Sequence, residues 1–173
     1  MYGRSRQSIV SKNRYMQQQR HTISVLVENK FGVLTRVAGL FSGRGYNIDS
    51  LNVGPTHDPS LSRMTIVTRG DDATVEQICK QLAKLIDVAK VIDYRQGDYI
   101  DRELVLVRVA ANGQNRAEIC QMAELFRAKV VDVQPTSLTI ELTGGESKIE
   151  KFIMLLKDFG ILDLTRTGQV ALP

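Results

Sequence analysis

The sequence predicts an α+β chain made of two ferredoxin-like β-α-β-β-α-β units, each an antiparallel sheet with both helices on one face. Three observations predict it. The apolar spacing switches between period two and period 3.6 in the same order twice. Parts of the first pass reappear as letters in the second: Met64–Gly70 (MTIVTRG) parallels Leu138–Gly144 (LTIELTG) at an offset of 74. And a β-α-β-β-α-β order with two right-handed crossovers closes as a four-stranded antiparallel sheet.

The first unit opens with Thr22–Glu28, where Ile23, Val25 and Val27 share one face of a strand. Val33, Leu34, Val37, Ala38, Leu40 and Phe41 follow at helical spacing, and Gly43 and Gly45 end that helix. Tyr46–Val53 alternates again, and Pro55–Ser60 is a loop by its Pro/Asp/Ser content. Arg63–Thr68 is a third strand. Val75, Ile78, Cys79, Leu82, Leu85 and Ile86 then trace a second helix, with Asp71, Asp72 or Thr74 as its N-cap. Val88–Tyr94 closes the unit as a strand.

The second unit repeats the order: strand Glu103–Val109, helix Ala117–Arg127, strands Val130–Val133 and Ser137–Leu142, helix Glu146–Phe159, strand Ile161–Leu164. Leu40–Arg44 (LFSGR) parallels Leu125–Lys129 (LFRAK) at an offset of 85. The shift from 85 to 74 reflects the Pro55–Ser60 loop, which has only a brief counterpart around Pro135 and Thr136. The expected organisation is a basic, disordered tail over 1–20, a first domain over 21–95 and a second over 96–173.

Composition narrows the function. The chain has 173 residues, 43% apolar and 24% charged, as an ordinary globular protein does. Five of the 23 Lys/Arg lie in residues 1–20, which hold no Asp/Glu. The remaining 18 face all 19 acidic residues, so the two units together are near neutral and lack the footprint of a nucleic-acid binder. No run approaches the roughly 20 apolar residues of a membrane span, and the first twenty residues lack the apolar core of a secretory signal. Two cysteines without C-x-x-C spacing indicate a reducing compartment. His21 and His57, the two histidines, lack metal-ligand spacing. Glu28, Asp49 and Glu103 are scattered carboxylates expected at the surface or at strand ends, and no catalytic residues are expected on this chain.

The loop Glu28–Leu34 (ENKFGVL) turns a strand into a helix in about four residues. Gly32 at the helix mouth lets backbone approach a ligand, and the first N–H groups, near Gly32, Val33 and Leu34, suit a carboxylate. Asn29 offers both a donor and an acceptor. Together these suit a zwitterionic amino acid, with Leu34 and Ile48 as an apolar wall. The same residues also fit a plain turn, with Asn29 as a cap and Gly32 as a turn glycine. The second unit sharpens the choice: its corresponding loop, Ala110–Glu118 (AANGQNRAE), has no Gly-Val-Leu, and Arg44–Ile48 (RGYNI) is replaced by Lys129–Val133 (KVVDV).

Asn29-x-x-Gly-Val-Leu34, Gly39–Leu51 (GLFSGRGYNIDSL), Leu61–Ile66 (LSRMTI), Gln81–Val88 (QLAKLIDV) and Arg102–Val107 (RELVLV) resemble the small, regulatory subunits of acetolactate synthase, over roughly 21–170. The resemblance implies an ACT domain in the first half that binds valine between two copies. Asn29, Gly32, Val33 and Leu34 would come from one subunit, and Asn47 and Ile48 from the other. It implies a smaller ACT-like second half without an effector site. It also implies a large catalytic subunit as partner, a homodimer through the ACT domains, and a role in branched-chain amino-acid synthesis: raising the partner's activity and conferring feedback inhibition by valine. Thiamine diphosphate, magnesium and FAD would belong to the catalytic subunit, with no cofactor on this chain. The setting would be bacterial cytoplasm or plastid stroma, with no nucleic acid and no membrane involved. Two other readings remain: an ACT-domain sensor for another enzyme or for transcription, and an acylphosphatase-like enzyme, which the helix mouth disfavours because it holds Lys30 but no Arg.

Overall fold

A computed structural model describes residues 19–95 and 98–173. The chain divides into two compact units, the first ending at Tyr99 and the second spanning Ile100–Leu172.

The first unit runs β1 (Gln19–Glu28), α1 (Val33–Gly43), β2 (Ile48–Pro55), β3 (Leu61–Gly70), α2 (Asp72–Leu82) and β4 (Val88–Asp93). The sheet order is β2-β3-β1-β4, and every pair is antiparallel. Alternation explains the layering: Ile23, Val25, Val27, Met64 and Ile66 face Val33, Val37 and Phe41 of α1 and Val75, Ile78 and Leu82 of α2 in one buried cluster. Each such side chain contributes about 1.5–3 kcal/mol on burial. Asp71 caps α2, its carboxylate accepting from the Thr74 N–H at 2.7 Å, and the Thr74 hydroxyl, then that N–H, hold the Asp71 carboxyl below its ordinary range.

The second unit runs β5 (Ile100–Ala110), α3 (Arg116–Leu125), β6 (Lys129–Gln134), β7 (Ser137–Gly144), α4 (Glu146–Leu156), a 3-10 turn (Lys157–Phe159), β8 (Ile161–Arg166) and β9 (Val170–Leu172). Its sheet order, β6-β7-β5-β8, repeats the first, with β9 added beside the start of β5. Val105, Val107, Val109, Leu138, Ile140 and Leu142 meet Ile119, Ala123, Ile149, Phe152 and Leu156 in a separate core. Two antiparallel ferredoxin-like units with helices on one face are thus the architecture.

Four expectations need correction. β1 begins at Gln19, because Gln19 and Arg20 pair with Gly70 and Arg69; the rest of the expected tail, 1–18, lies outside the described residues. β9 adds a strand the periodicity missed. Glu103, expected at the surface or at a strand end, stands near the start of β5 but not at the surface: it is 6% exposed and binds Arg166 through both oxygens, at 2.8 and 2.7 Å. The Leu-Phe letters of α1 and α3 are also out of step in space. α1 stops with Gly45 N–H on Ser42 O and Tyr46 N–H on Phe41 O, whereas α3 stops with Arg127 N–H on Glu124 O and Ala128 N–H on Ala123 O. These are the same Schellman stop, so Phe41 matches Ala123, three residues earlier than the letters imply.

Candidate functional site

β1 leaves the sheet at Glu28 and the chain enters α1 at Val33, after four intervening residues. Six contacts hold this loop. The Asn29 N–H donates to Ser60 O at 2.7 Å, and its side-chain Nδ2 donates to Pro59 O at 3.0 Å. The Glu28 N–H donates to Asp87 O at 2.9 Å, just before β4. The Asp87 carboxylate, 3% exposed, takes Lys30 Nζ at 2.7 Å and Arg36 Nε at 2.5 Å, and Lys30 also reaches Glu28 at 2.5 Å. Lys30, then Arg36, holds the Asp87 carboxyl below its ordinary value against the opposing effect of burial; Asp87, then Glu28, raises the Lys30 amine.

Gly32 makes the turn into α1 at φ +84°, the left-handed region that costs other residues about 1–2 kcal/mol. α1 has no side-chain cap and no acidic residue in its first turn, whereas α2, α3 and α4 carry Asp72, Glu118 and Glu146 there. Its positive end is therefore unopposed by a carboxylate of its own first turn. Phe31 is 100% and Leu34 46% exposed at this mouth. Val33 turns its side chain into the core, so it presents only backbone.

Asn47 and Ile48 lie elsewhere in the same chain. Ile48 pairs with Thr68, which pairs with His21 at the beginning of β1, so they stand roughly 25 Å along the sheet from Asn29. Asn47 is exposed, its amide on Asp49 at 2.9 Å and its carbonyl on Thr68 Oγ1 at 2.6 Å; Ile48 packs partly on the core. The six residues singled out from sequence thus form two groups at opposite ends of one sheet, which a single copy does not bring together. A cleft of about 340 Å³ lies at the Asn47 end of the sheet, lined by Gln19, Arg20, His21, Asp72 and Arg95, none of the six. Its Arg95 is engaged by Asp93 and by the Asp72 carbonyl at 2.8 Å.

The matching loop of the second unit is closed from within. The Ala111 N–H donates to Thr136 O at 2.9 Å, as Asn29 does to Ser60, so buried Ala111 stands where Asn29 does. Asn112 Oδ1 accepts from the N–H groups of Gln114 and Asn115 at 2.9 and 3.1 Å, and the Arg116 guanidinium donates to Gln134 O and Pro135 O, both at 2.8 Å. In the first loop the helix mouth is open; in the second, Asn112 bonds the loop's own N–H groups while Arg116 reaches the turn before β7.

Burial pushes the half-buried Cys79 thiol up to about 11, which does not favour a nucleophile. Among the described residues, no group of three His, Cys, Asp or Glu could hold a metal ion, and no helix is long and apolar enough to cross a membrane.

A duplicated ferredoxin-like chain with one open and one closed loop defines a tandem protein of the ACT type. Residues 23–90 match the family described as AHAS small subunit-like ACT domain, and residues 102–173 match the small subunit of acetolactate synthase. The chain is 54% identical over 153 residues to a probable acetolactate synthase small subunit of Archaeoglobus fulgidus, covering 88% of this chain and 96% of that one. It is 47% identical over 154 residues to the acetolactate synthase isozyme 3 small subunit of Escherichia coli, covering 88% and 94%. It also resembles the crystal structure of the acetolactate synthase small subunit of Thermotoga maritima, at 43% identity and a TM-score of 0.80, over 89% of this chain and 96% of that one. The chain belongs to the acetolactate synthase small-subunit family.

The sequence reading missed Asp87 as the buried holder of the loop. The signal was present, since Asp87 lies in the Gln81–Val88 motif, but its partners stand 57 and 51 positions away at Lys30 and Arg36.

Proposed function

We propose that this chain is the regulatory subunit of acetolactate synthase, raising the activity of the thiamine-diphosphate-dependent catalytic subunit and conferring feedback inhibition by valine. The observation that carries this reading is the contrast between the two loops: the scaffold is the same, but only the first enters its helix through a left-handed glycine with no carboxylate in the first turn, Gly32 letting backbone approach, whereas the second has Glu118 in its first turn and Asn112 turned onto the loop's own N–H groups. The valine carboxylate would meet the N–H groups of Gly32, Val33 and Leu34, where the helix dipole favours an anion. Asn29 spends its Nδ2 on Pro59, which leaves Oδ1 to accept from the valine ammonium. Asn47 and Ile48 of a second copy would complete the pocket, since their distance from Asn29 within one chain leaves the facing subunit as their source.

Control then follows from linkage. Valine favours the paired arrangement that supports the catalytic subunit less well, with a coupling of about 1–3 kcal/mol, and the catalytic subunit weakens valine binding by the same factor. The test is reconstitution with the catalytic subunit, following acetolactate formation. Adding the chain should raise the rate and valine should then lower it. Gly32→Asp should keep the activation and lose the valine response. No activation by the wild-type chain, or full valine sensitivity in Gly32→Asp, would contradict the proposal.

A further inference from the structure

We infer that Asp87 is a positioning residue for the effector loop, setting the geometry of Asn29–Leu34 through Lys30 and Arg36 without touching the ligand. The inference deepens the valine reading and rests on it for the identity of the ligand.

The two units supply an internal control. At the end of β1 the Glu28 N–H donates to Asp87 O at 2.9 Å; at the matching point of β5 the Ala110 N–H donates to Gly160 O at 2.9 Å. Both follow a register shift in the central strand, between Leu26 and Val27 in one and between Arg108 and Val109 in the other. Both acceptors immediately precede the last strand of the βαββαβ pattern, at Val88 and Ile161. The fold therefore needs only the carbonyl at this position, and Gly160 provides it. The carboxylate is present only in the unit with the open mouth.

That carboxylate sits where it can act on the loop from both sides. Lys30 lies two residues before Gly32 and Arg36 four residues after it, and Asp87 grips both. The cations are about half exposed while Asp87 is nearly buried, so Asp87 is the fixed point and the loop is what it fixes. Burying a carboxylate is costly without such partners, which makes the geometry over-determined. In the second unit no carboxylate does this work: Asn112 accepts from N–H groups within the loop and Arg116 donates to the Gln134 carbonyl at the end of β6. An outside clamp orders a helix mouth while leaving it open. Pre-ordering a loop improves affinity by lowering the cost of binding.

The test uses the full chain, wild type and Asp87→Asn, with two readouts: amide hydrogen exchange of residues 30–34 without ligand, and valine affinity by calorimetry. The expected result is faster exchange confined to the loop and valine binding at least tenfold weaker, both absent when Asp87→Asn is added to Lys30→Met/Arg36→Gln. A general folding defect would instead add in that background. If Asp87→Asn does not fold, the Lys30→Met/Arg36→Gln chain, altered at half-exposed positions, carries the same two readouts. Unchanged loop exchange and unchanged affinity would overturn the inference. If the wild-type chain binds no valine either alone or in complex with the catalytic subunit, the effector reading fails, and loop exchange alone decides the role of Asp87: faster supports it, unchanged refutes it.

Discussion

Gly32 is bonded to Arg36 and leaves room for its guanidinium. The Gly32 carbonyl accepts the Arg36 N–H at 3.1 Å, opening α1, and a Cβ placed on Gly32 would lie 3.2 Å from Arg36 Nη1. Since Arg36 holds Asp87, the turn and the clamp share one residue. Gly32→Ala is expected to cost about 1–2 kcal/mol through the left-handed backbone, with the guanidinium displaced by a few tenths of an ångström. Chemical denaturation should show the loss, and a crystal structure of the variant should show Arg36 shifted relative to Asp87.

The ion cluster around Asp87 has a defined pH window. The Asp87 carboxyl is held below its ordinary 3.8, so its contribution is fully present above that value and is lost as pH falls through the depressed folded value. Lys30 is raised above 10.5, so its contribution persists below 10.5 and fades as pH rises through the folded value. The stability difference between wild type and Asp87→Asn should therefore be flat from about pH 5 to 9 and shrink below pH 3.8. Denaturation at several pH values checks this, and a difference that grows in acid would contradict it.

The two Schellman stops differ in one residue. Gly45 takes φ +70° after α1, whereas Arg127 takes φ +55° after α3, where an L side chain is strained. Arg127→Gly should stabilise the second unit by about 0.5–1 kcal/mol, the left-handed penalty removed less the extra chain entropy of glycine. A rise of a few degrees in the unfolding midpoint is the expected reading.

Glu103 and Arg166 tie the start of β5 to the end of β8, and Arg166 continues to Glu150 on α4 at 2.7 Å. Glu103→Ala should destabilise the chain by about 1–3 kcal/mol. That is below the full cost of breaking a buried pair, because Arg166 is 31% exposed and keeps Glu150. Denaturant titration measures it, and valine binding in the first unit should not change.

Much of this architecture is legible in the letters. Period-two runs such as Ile23–Val27 and Leu138–Leu142 became central strands, and the 3.6-residue spacing of Val75, Ile78 and Leu82 became the buried face of α2. Local signals were enough because each depends on residues two to four apart. What was missed depends on distant partners. β9 is three residues long and exists by pairing with Ile100–Arg102. Asp87 carries no local signal of its role, which exists only once Lys30 and Arg36 fold against it. The Leu-Phe match misled because identical letters sat at different distances from the helix stop, Phe41 four residues before Gly45 and Phe126 directly before Arg127. Asn29 and Gly32 stand out in the sequence by contrast, since Ala111 stands where Asn29 does and the second loop has no Gly-Val-Leu at its helix mouth, whereas the distance to Asn47 required the strand register.

The most direct measurement is calorimetric titration of the full chain with valine, with leucine, isoleucine and alanine for comparison, both alone and in complex with the catalytic subunit. The account predicts saturable binding near one valine per chain, weakened at least tenfold by Asn29→Ala. Absence of saturable valine binding in both the chain and the complex, or identical binding by Asn29→Ala, would contradict it.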